Sequence, residues 1–296
     1  MNPKYPLYIP SKGRAHIRLT SDALTEMKVP HNLVIEEQEY ELYHEATKNN
    51  KFVTLIILDE SYKDTYETLD NLGRTKSVGA GPARNFIWEH SIKAGHEWHW
   101  VMDDNIKCFY RYNNNEQIRV GCGTGFRTIE DFCERYENVV MAGPNYFMFV
   151  PRKYKQPPYI LNTRIYSCNF IKNDIPFRWT GRYNEDTILS LNILRADLCT
   201  LQFNHFLQAK TTTSKIEGGN TAEFYSVEGT LPKSQMLVDV FPDNARLVQK
   251  YNRWHHYVDY SVFKKNNLKF KNGVKIPNRV NEYGMKIKKI KSDDKN

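Results

Sequence analysis

The chain has 296 residues, of which 40% are hydrophobic and 13% aromatic, so it carries enough apolar side chains for a core and is not disordered as a whole. It contains no apolar run of about 18 residues and no apolar N-terminal leader, which argues against a membrane span and a signal peptide. The net charge is +8, and five scattered cysteines without a C-x-x-C pair argue against a disulfide framework or a structural zinc site, so we expect a cytoplasmic protein.

The first half of the chain alternates predicted strands with predicted helices. Short apolar runs predict strands at residues 7–9, 33–35, 53–58 and 98–102. A helix is expected after residue 36 with its end near Lys48, and a second at 83–93 with Gly95 as its terminator. Unbroken apolar strands that alternate with helices indicate an α/β fold with a mostly parallel sheet covered on both faces.

The second half of the chain has a less regular pattern. We predict loops at 113–115, 121–125 and 211–220, strands at 139–143, 146–150 and 198–206, and helices at 185–195 and 242–257. Asn184 is expected to cap the helix that begins at residue 185. Because no repeat or clear linker is visible, residues 1–260 are interpreted as one domain and 261–296 as a basic C-terminal extension.

An acidic motif, Asp103-Asp104-Asn105, follows directly after the predicted strand at 98–102. In open α/β sheets, ligands bind beyond the carboxyl ends of the strands. Carboxylate and amide oxygens suit Mg²⁺ or Mn²⁺, and such an ion neutralises the charge of a departing diphosphate. A turn built from Asp and Asn, which favour turns, is the alternative interpretation.

Three further polar groups fall at predicted strand ends or helix starts and are candidate donor-binding residues. The flexible turn that opens the helix at 83–93 exposes backbone N–H groups and a helix dipole that attract phosphate or sugar oxygens. The alternatives are an ordinary Gly/Pro loop and solvated surface charges. The candidate residues are Ser11, Lys12, Gly13, Arg14, Glu36, Gly81, Arg84, Asn85 and Asp103.

Glu185 and Asp186 are the candidate catalytic residues. A carboxylate fixed at a helix start can take a proton from an acceptor hydroxyl, although acidic residues also suit the first turn of any helix. His256, within the predicted helix at 242–257, is a candidate metal ligand or DNA contact, with packing as the alternative.

The positive charge of the chain is concentrated at its C-terminus. Residues 261–296 contain 11 Lys or Arg against 3 Asp or Glu, whereas residues 1–260 contain 31 of each kind. Such a segment can follow a phosphate backbone, or it can be a solvated tail. The candidate DNA-binding residues are Lys286, Lys288, Lys289 and Lys291.

Four segments resemble a known family in the same order. They are residues 8–15 (YIPSKGRA), 34–40 (VIEEQEY), 81–87 (GPARNFI) and 100–106 (WVMDDNI). Together they are similar to the phage glycosyltransferases associated with TET/JBP-type base oxygenases, which belong to the GT-A class. The resemblance is strongest over residues 5–110, thinner to about 260, and absent from the basic extension.

The resemblance implies a GT-A-like, Rossmann-like fold and a nucleotide-sugar donor, with UDP as the expected nucleotide. It implies Mn²⁺ or Mg²⁺ at the acidic motif and transfer to the hydroxymethyl group of a modified base in DNA. By the same analogy Ser11, Arg14, Glu36 and Arg84 line the donor pocket, and Glu185 or Asp186 lies near the acceptor. The third position of the motif, Asn105, departs from a strict D-x-D pattern.

Other functions fit part of the same pattern. The acceptor could be a protein or a glycan, in which case duplex DNA would bind without a steep salt dependence. A nucleic-acid-binding protein with a degenerate pocket would fail to hydrolyse a UDP-sugar. A nuclease is weaker, because the further carboxylates and lysine that it needs are not evident in the sequence.

Overall fold

The structure is a computed structural model that describes residues 1–69, 79–152, 156–211, 231–250 and 252–274. Its strands are β1 (Leu7–Pro10), β2 (His31–Ile35), β3 (Val53–Ile57), β4 (Trp98–Met102), β5 (Ile106–Asn113), β6 (Glu116–Arg119), β7 (Val139–Tyr146), β8 (Tyr159–Leu161), β9 (Cys168–Lys172), β10 (Cys199–Lys210), β11 (Ala245–Lys250) and β12 (Arg253–Val258). Its helices are α1 (Leu19–Glu26), α2 (Tyr40–Thr47), α3 (Ser61–Asp64), α4 (Gly81–Lys93), α5 (Thr124–Cys133), α6 (Glu185–Arg195) and α7 (Leu231–Val240). Among these described helices, none has the length and apolar character that crossing a membrane requires.

Ten strands of the described residues form one mixed sheet. Its order is β3-β2-β1-β4-β9-β7-β10-β5-β6, and β8 pairs with β10. The first four strands of this order are parallel. β9 is antiparallel to both β4 and β7, and β10 is parallel to β7, so β10 runs in the same direction as β4. The carboxyl ends of β1, β2, β4 and β10 therefore lie at one edge of the sheet.

The sheet buries both of its faces. Alternate residues of one strand point to opposite sides, so Leu7 and Ile9 of β1 lie in one apolar cluster while Tyr8 lies in another. Side chains of α1, α2 and α5 belong to the first cluster, and those of α4 and α6 to the second. Trp98 stacks on Phe170 of the neighbouring strand with ring centroids 4.5 Å apart. Burial of each such side chain stabilises the fold by about 1.5–3 kcal/mol.

The elements predicted from strong apolar patterns are confirmed. They include the four strands of the first half, the helices at 40–47, 81–93 and 185–195, and the long strand β10. Asn184 does precede α6, but its backbone is left-handed (φ 57°) and its Nδ2 donates to Lys233 O at 2.7 Å, so its side chain does not cap the helix. The predicted strand at 146–150 is wrong beyond Tyr146, because residues 147–149 form a 3-10 turn, and the predicted loop at 121–125 overlaps the start of α5.

The predicted helix at 242–257 is wrong. β11 and β12 form a hairpin in this region, with Leu247 opposite His256 in the register. Asn252 takes the left-handed conformation (φ 57°) that a tight turn between two strands requires. Across the two strands, the Arg246 guanidinium lies 4.7 Å from the centre of the Tyr257 ring. These side chains pair across two strands and do not form one face of a helix.

The described start of the basic extension packs on the same core. Phe263 is buried, and Nδ2 of buried Asn266 donates to the carbonyls of Leu194 and Leu198 at 2.8 and 3.0 Å. Phe270 stacks on Tyr136 with ring centroids 4.5 Å apart. The predicted boundary after residue 260 stays a prediction. The lysines at 286, 288, 289 and 291, and the predicted loop beyond residue 211, lie outside the described residues.

Candidate active site

A cleft of about 430 Å³ opens at the edge of the sheet where β1, β2, β4 and β10 end. The start of α6 forms its opposite wall. The described part of the lining has more cationic than acidic side chains, eight against five. The cationic residues are Lys12, Arg14, Lys63, Arg84, Arg164, Arg182, Lys210 and Lys233, and the acidic ones are Glu36, Asp103, Asp104, Glu185 and Asp186.

Asp103 is held between two cations at the end of β4. Its Oδ1 accepts from Arg84 Nη2 at 2.6 Å, and its Oδ2 accepts from Lys210 Nζ at 2.5 Å. Burial by itself would raise the pKa of Asp103, but Lys210 and Arg84 outweigh burial and hold the pKa well below its usual range. The same interaction raises the pKa of Lys210, against the effect of burial. Both side chains are therefore charged at neutral pH.

The other two residues of the acidic motif are also bound within the protein. Asp104 pairs with the buried guanidinium of Arg14 and accepts from Ser11 Oγ at 3.2 Å. Burial raises the pKa of Asp104 although Arg14 opposes the shift. Asn105 donates from Nδ2 to the carbonyl of Thr211 at 3.2 Å, and its own carbonyl accepts from Thr211 N at 2.9 Å. This pair of hydrogen bonds ties the motif to the end of β10.

The residues predicted to hold a divalent metal do not fit that role in this arrangement. Both oxygens of Asp103 and both of Asp104 are already bound by side-chain donors, three of the four bonds coming from cations. In the part of the chain that the structure describes, no three His, Cys, Asp or Glu side chains converge as metal ligands do. The geometry therefore supports no chemical step through a metal at this motif.

His256 lies in cationic surroundings and is outside the described lining of the cleft. Burial, followed by the nearby charges of Arg164 and Lys233, lowers the pKa of His256 to about 4. The same charges would repel a metal cation and so disfavour the metal role of His256, which stays a prediction.

Arg84, in the first turn of α4, joins both walls of the cleft. Besides Asp103 it contacts Glu185 Oε1 at 3.2 Å and Asp186 Oδ1 at 3.1 Å through Nη1. Its guanidinium is buried and lies 4.6 Å from the centre of the Trp179 ring. Burial would lower the pKa of Arg84, but the surrounding carboxylates raise it, so its charge is permanent.

Asp186, one of the two candidate bases, accepts hydrogen bonds from two side chains. Its Oδ1 accepts from Asn169 Nδ2 at 3.3 Å as well as from Arg84. Burial raises the pKa of Asp186 to about 6, with Arg84 opposing the shift and Glu185 reinforcing it. A carboxylate with this pKa is ionised at neutral pH and basic enough to accept a proton from a hydroxyl. Both residues line the cleft.

Glu36 lies at the end of β2 within a small cationic cluster. Its Oε1 accepts from Lys12 at 3.1 Å and from Lys63 at 2.7 Å. Burial would raise the pKa of Glu36, but these two lysines outweigh it and the pKa is lowered. The predicted residues Ser11, Lys12, Arg14, Glu36, Arg84 and Asp103 thus come together in one cleft.

Three of the residues predicted to bind the nucleotide-sugar donor are not in the described lining of the cleft, and their contacts are structural. Gly13 N donates to Glu39 Oε1 at 2.6 Å, in a left-handed conformation (φ 66°) that favours glycine. A Cβ on Gly81 would lie 2.0 Å from the Tyr66 ring, so glycine makes room for that half-buried side chain. Asn85 donates to the Trp179 carbonyl and accepts from its N–H, both at 2.9 Å.

Several cleft residues were missed from the sequence. Lys210 stands at the carboxyl end of β10, four residues beyond the predicted end of that strand. Ligands of α/β sheets bind at the carboxyl ends of the strands, which made Asp103 a candidate. A strand predicted to continue to residue 210 would have made Lys210 a candidate for the same reason. No sequence signal distinguishes the others, because α3, β7, α7 and several loops bring them in from separate parts of the chain. They are Lys63, Tyr146, Arg164, Tyr166, Ser167, Arg182 and Lys233.

A mixed α/β sheet with a charged cleft at its carboxyl edge fits a nucleotide-sugar-dependent transferase. The family model described as "TET-Associated Glycosyltransferase" matches residues 5–219, and the chain belongs to that family. Among solved structures, mouse xyloside xylosyltransferase 1 in its apo form is similar at 11% identity and a TM-score of 0.38, over 67% of this chain and 84% of that one. Comparison with curated proteins gave no significant match.

Proposed function

We propose that this enzyme transfers a sugar from a nucleotide-sugar to the hydroxymethyl group of a base in DNA. Membership of the TET-associated family supports a modified base as the acceptor, since TET-type oxygenases act on DNA bases. The observation that carries the chemistry is Asp186, a carboxylate of raised pKa in the wall of a cation-rich cleft. A cytoplasmic location, in the infected host cell if a phage encodes the enzyme, agrees with a DNA substrate.

The donor binds on the β1, β2 and β4 side of the cleft in this proposal. Lys12 and Lys63 offer cationic donors beside Glu36, whose carboxylate can accept hydrogen bonds from a ribose or a base. Ser11 and Arg14 lie next to the acidic motif. UDP is the expected nucleotide. The diphosphate can be bound by the cations of the protein or by the Mn²⁺ or Mg²⁺ that the resemblance implies. Measurement of UDP binding with and without metal distinguishes these two possibilities.

The acceptor binds toward α6, where Asp186 takes the proton. The hydroxymethyl oxygen forms a bond to the anomeric carbon of the sugar as the bond from that carbon to the β-phosphate oxygen breaks. The electron pair of the broken bond stays on the nucleoside diphosphate, and the hydroxyl proton passes to Asp186. Arg84 keeps this carboxylate ionised before the reaction and fixes its position.

A base within a duplex must leave the stack to reach such a cleft. Extrusion costs a few kcal/mol, which contacts with the phosphate backbone can offset. The lysines at 286, 288, 289 and 291 are the groups proposed for those contacts. A protein or glycan acceptor would need neither extrusion nor a basic extension, which favours DNA.

A donor screen on modified DNA tests the proposal. The purified enzyme is incubated with a panel of nucleotide-sugars and duplex DNA that carries hydroxymethylcytosine, and nucleosides are analysed by mass spectrometry. We expect the mass of one hexose or pentose on the modified base with one donor, and none on matched DNA with unmodified cytosine. Hydrolysis of a UDP-sugar without transfer to either DNA would point to a different acceptor. Absence of both transfer and hydrolysis would indicate a nucleic-acid-binding protein with an inactive pocket.

A further inference from the structure

We propose that the donor diphosphate is neutralised by the cations of the protein, with Lys210 at the acidic motif and Arg164 and Lys233 at the opposite wall, in place of a divalent metal. This inference rests on the proposed function in one respect, namely that the leaving group is a nucleoside diphosphate. It concerns how the charge of that group is balanced, which is independent of the acceptor.

Lys210 occupies the position at Asp103 that a metal would need. Its ammonium lies 2.5 Å from Asp103 Oδ2 and 3.0 Å from Ser167 Oγ. A divalent ion bound to the same oxygen would lie about 2.0–2.2 Å from it and would have to displace the ammonium. Lys210 is only 20% exposed and lines the cleft, so solvent screens its interaction with a bound ligand only weakly.

Asn105 and Asp104 offer little to compensate such a displacement. The amide of Asn105 carries no charge and is tied to Thr211, while Asp104 is committed to Arg14. Two carboxylates of the motif therefore face three cations, Arg14, Arg84 and Lys210. Because Arg84 also binds Glu185 and Asp186, the positive charge that remains for a ligand comes from the other cations of the cleft.

The second part of the site is the wall opposite the motif. The guanidinium of Arg164 lies 4.6 Å from the centre of the Tyr166 ring, and this contact orients it. Lys233 lies on α7, and its backbone carbonyl accepts a hydrogen bond from Asn184. Both line the cleft, and their charge reaches His256, where it adds to burial in lowering the pKa of the imidazole. With Arg182, these cations outnumber the carboxylates Glu185 and Asp186 at the start of α6, so an anion can bind in this part of the cleft.

The charges of the cleft lining and of the nucleoside diphosphate balance without a metal. Eight cationic and five acidic side chains in the described lining leave an excess of three. A nucleoside diphosphate leaves with about two to three negative charges near neutral pH, because its last ionisation has a pKa near 6. Lysine and arginine clamps can stabilise charge that develops on phosphate oxygens, which is the role otherwise given to a metal. An added divalent ion would leave the complex with uncompensated positive charge.

Binding of UDP with and without metal tests the inference directly. We expect calorimetry to give wild-type affinities for UDP in EDTA and in Mn²⁺ that agree within about twofold. Electron paramagnetic resonance of Mn²⁺ should show no stoichiometric binding to the protein, with or without UDP. A fall in UDP affinity of roughly tenfold or more in EDTA, together with stoichiometric Mn²⁺ binding, would overturn the inference.

Variants of Lys210 locate the effect. Lys210→Met should weaken UDP binding in EDTA by roughly tenfold or more, whereas Lys210→Arg should retain most of the affinity because it keeps the charge. Lys172→Met is the matched control, since Lys172 pairs with Asp174 at 2.8 Å and does not line the described cleft. If Lys210→Met fails to fold, the Arg variant and the wild-type measurements decide the matter.

The outcomes separate this inference from the proposed acceptor. Metal-independent UDP binding without transfer to hydroxymethylated DNA would overturn the acceptor and leave the inference standing. Sugar transfer to that DNA only when Mn²⁺ is present would confirm the acceptor and overturn the inference.

Discussion

Arg84 Nη1 lies 3.1 Å from Oδ1 of Asp186, although the two residues are 102 positions apart in the chain. The contact joins the first turn of α4 to the first turn of α6, on either side of the cleft. Arg84 also binds Asp103 at the end of β4, so one buried guanidinium sets the distance between the donor side and the proposed base. The catalytic geometry therefore depends on a charge pair between two helix starts.

Replacement of Asp186 tests its role as the base. Asp186→Asn keeps the shape of the side chain but removes its basicity, so we expect transfer to slow by roughly 10²–10⁴-fold with little change in UDP affinity. Glu185→Gln is the control, because Glu185 also contacts Arg84 through an oxygen at 3.2 Å. Near-normal turnover of the Asn variant would remove Asp186 from the mechanism.

The pH dependence of the wild type gives a second measurement of the same residue. Burial raises the pKa of Asp186 to about 6, and the base acts only when ionised. Turnover should therefore fall as the pH drops through about 6 and level off above it. The Asn variant should lack this acidic limb. A wild-type profile that stays flat down to about pH 5 would contradict the assignment.

Removal of Arg84 should destabilise the fold in a pH-dependent manner. In the wild type, the lowered pKa of Asp103 contributes stability above its unfolded pKa of about 3.9, and this is lost as the pH falls through the folded value. Arg84→Met leaves Asp103, Glu185 and Asp186 without this partner, which should cost about 3–5 kcal/mol at about pH 8. The pKa of Asp186 should then rise further, so the folded variant binds protons more tightly than the unfolded chain. The loss of unfolding free energy of Arg84→Met relative to the wild type should therefore become smaller as the pH falls toward about 5.5.

Urea denaturation at both pH values measures this effect. Arg178→Met is a matched control, since Arg178 also pairs with a carboxylate, Glu89, and lies 4.8 Å from the centre of a tryptophan ring, that of Trp88. Arg178 is 35% exposed, whereas Arg84 is 3% exposed, so the control should cost only about 1 kcal/mol. A deficit for Arg84→Met that does not change with pH would show that packing on Trp179, and not charge, accounts for the loss.

The parts of the site that the sequence predicted are those governed by local rules. Asp103 follows an apolar strand directly, and Arg84 follows a glycine turn at a helix start, so strand-end and helix-start rules were sufficient to place both. Lys210 was missed because its strand, β10, continues four residues past its apolar part. The charge pairing between Lys210 and Asp103 joins residues 107 positions apart, which no local pattern encodes.

The fold was predicted best where burial sets the sequence pattern. β1, β2 and β4 are apolar because helices cover both faces of this part of the sheet, and the positions of all four predicted strands were confirmed. The hairpin of β11 and β12 is mostly exposed, so its pattern reflects cross-strand pairs such as Arg246 with Tyr257, and a helix was wrongly predicted. The metal site was inferred from oxygen ligands alone, and the spacing of residues in the chain cannot reveal the cations that bind them.

Gly81 provides a test of the turn that carries Arg84. A Cβ at this position would lie 2.0 Å from the ring of Tyr66, whose hydroxyl donates to the Gly181 carbonyl at 2.8 Å. Gly81→Ala should therefore displace Tyr66 and destabilise the protein by about 1–3 kcal/mol. Gly121→Ala is the control, because a Cβ there meets no atom of the described residues within 4 Å, and it should change stability by less than about 0.5 kcal/mol. Equal stabilities in urea denaturation would show that Tyr66 can move at no cost.

The basic extension gives the last prediction, which rests on charge. Residues 286–296 contain five lysines (286, 288, 289, 291 and 295) and two aspartates (293 and 294). If every lysine meets a phosphate, deletion of this segment should flatten the slope of log affinity against log salt concentration by roughly 4–5 units, and by about 2 if engagement is partial. Binding should weaken alike on all duplex sequences, because phosphate contacts carry no sequence information.

A full-length variant with glutamine at 286, 288, 289 and 291 keeps the length of the chain and should reproduce most of the change. UDP-sugar hydrolysis without DNA should stay the same in both, since the proposed donor site lies at the strand ends. An unchanged salt slope would exclude this segment from contact with DNA phosphates.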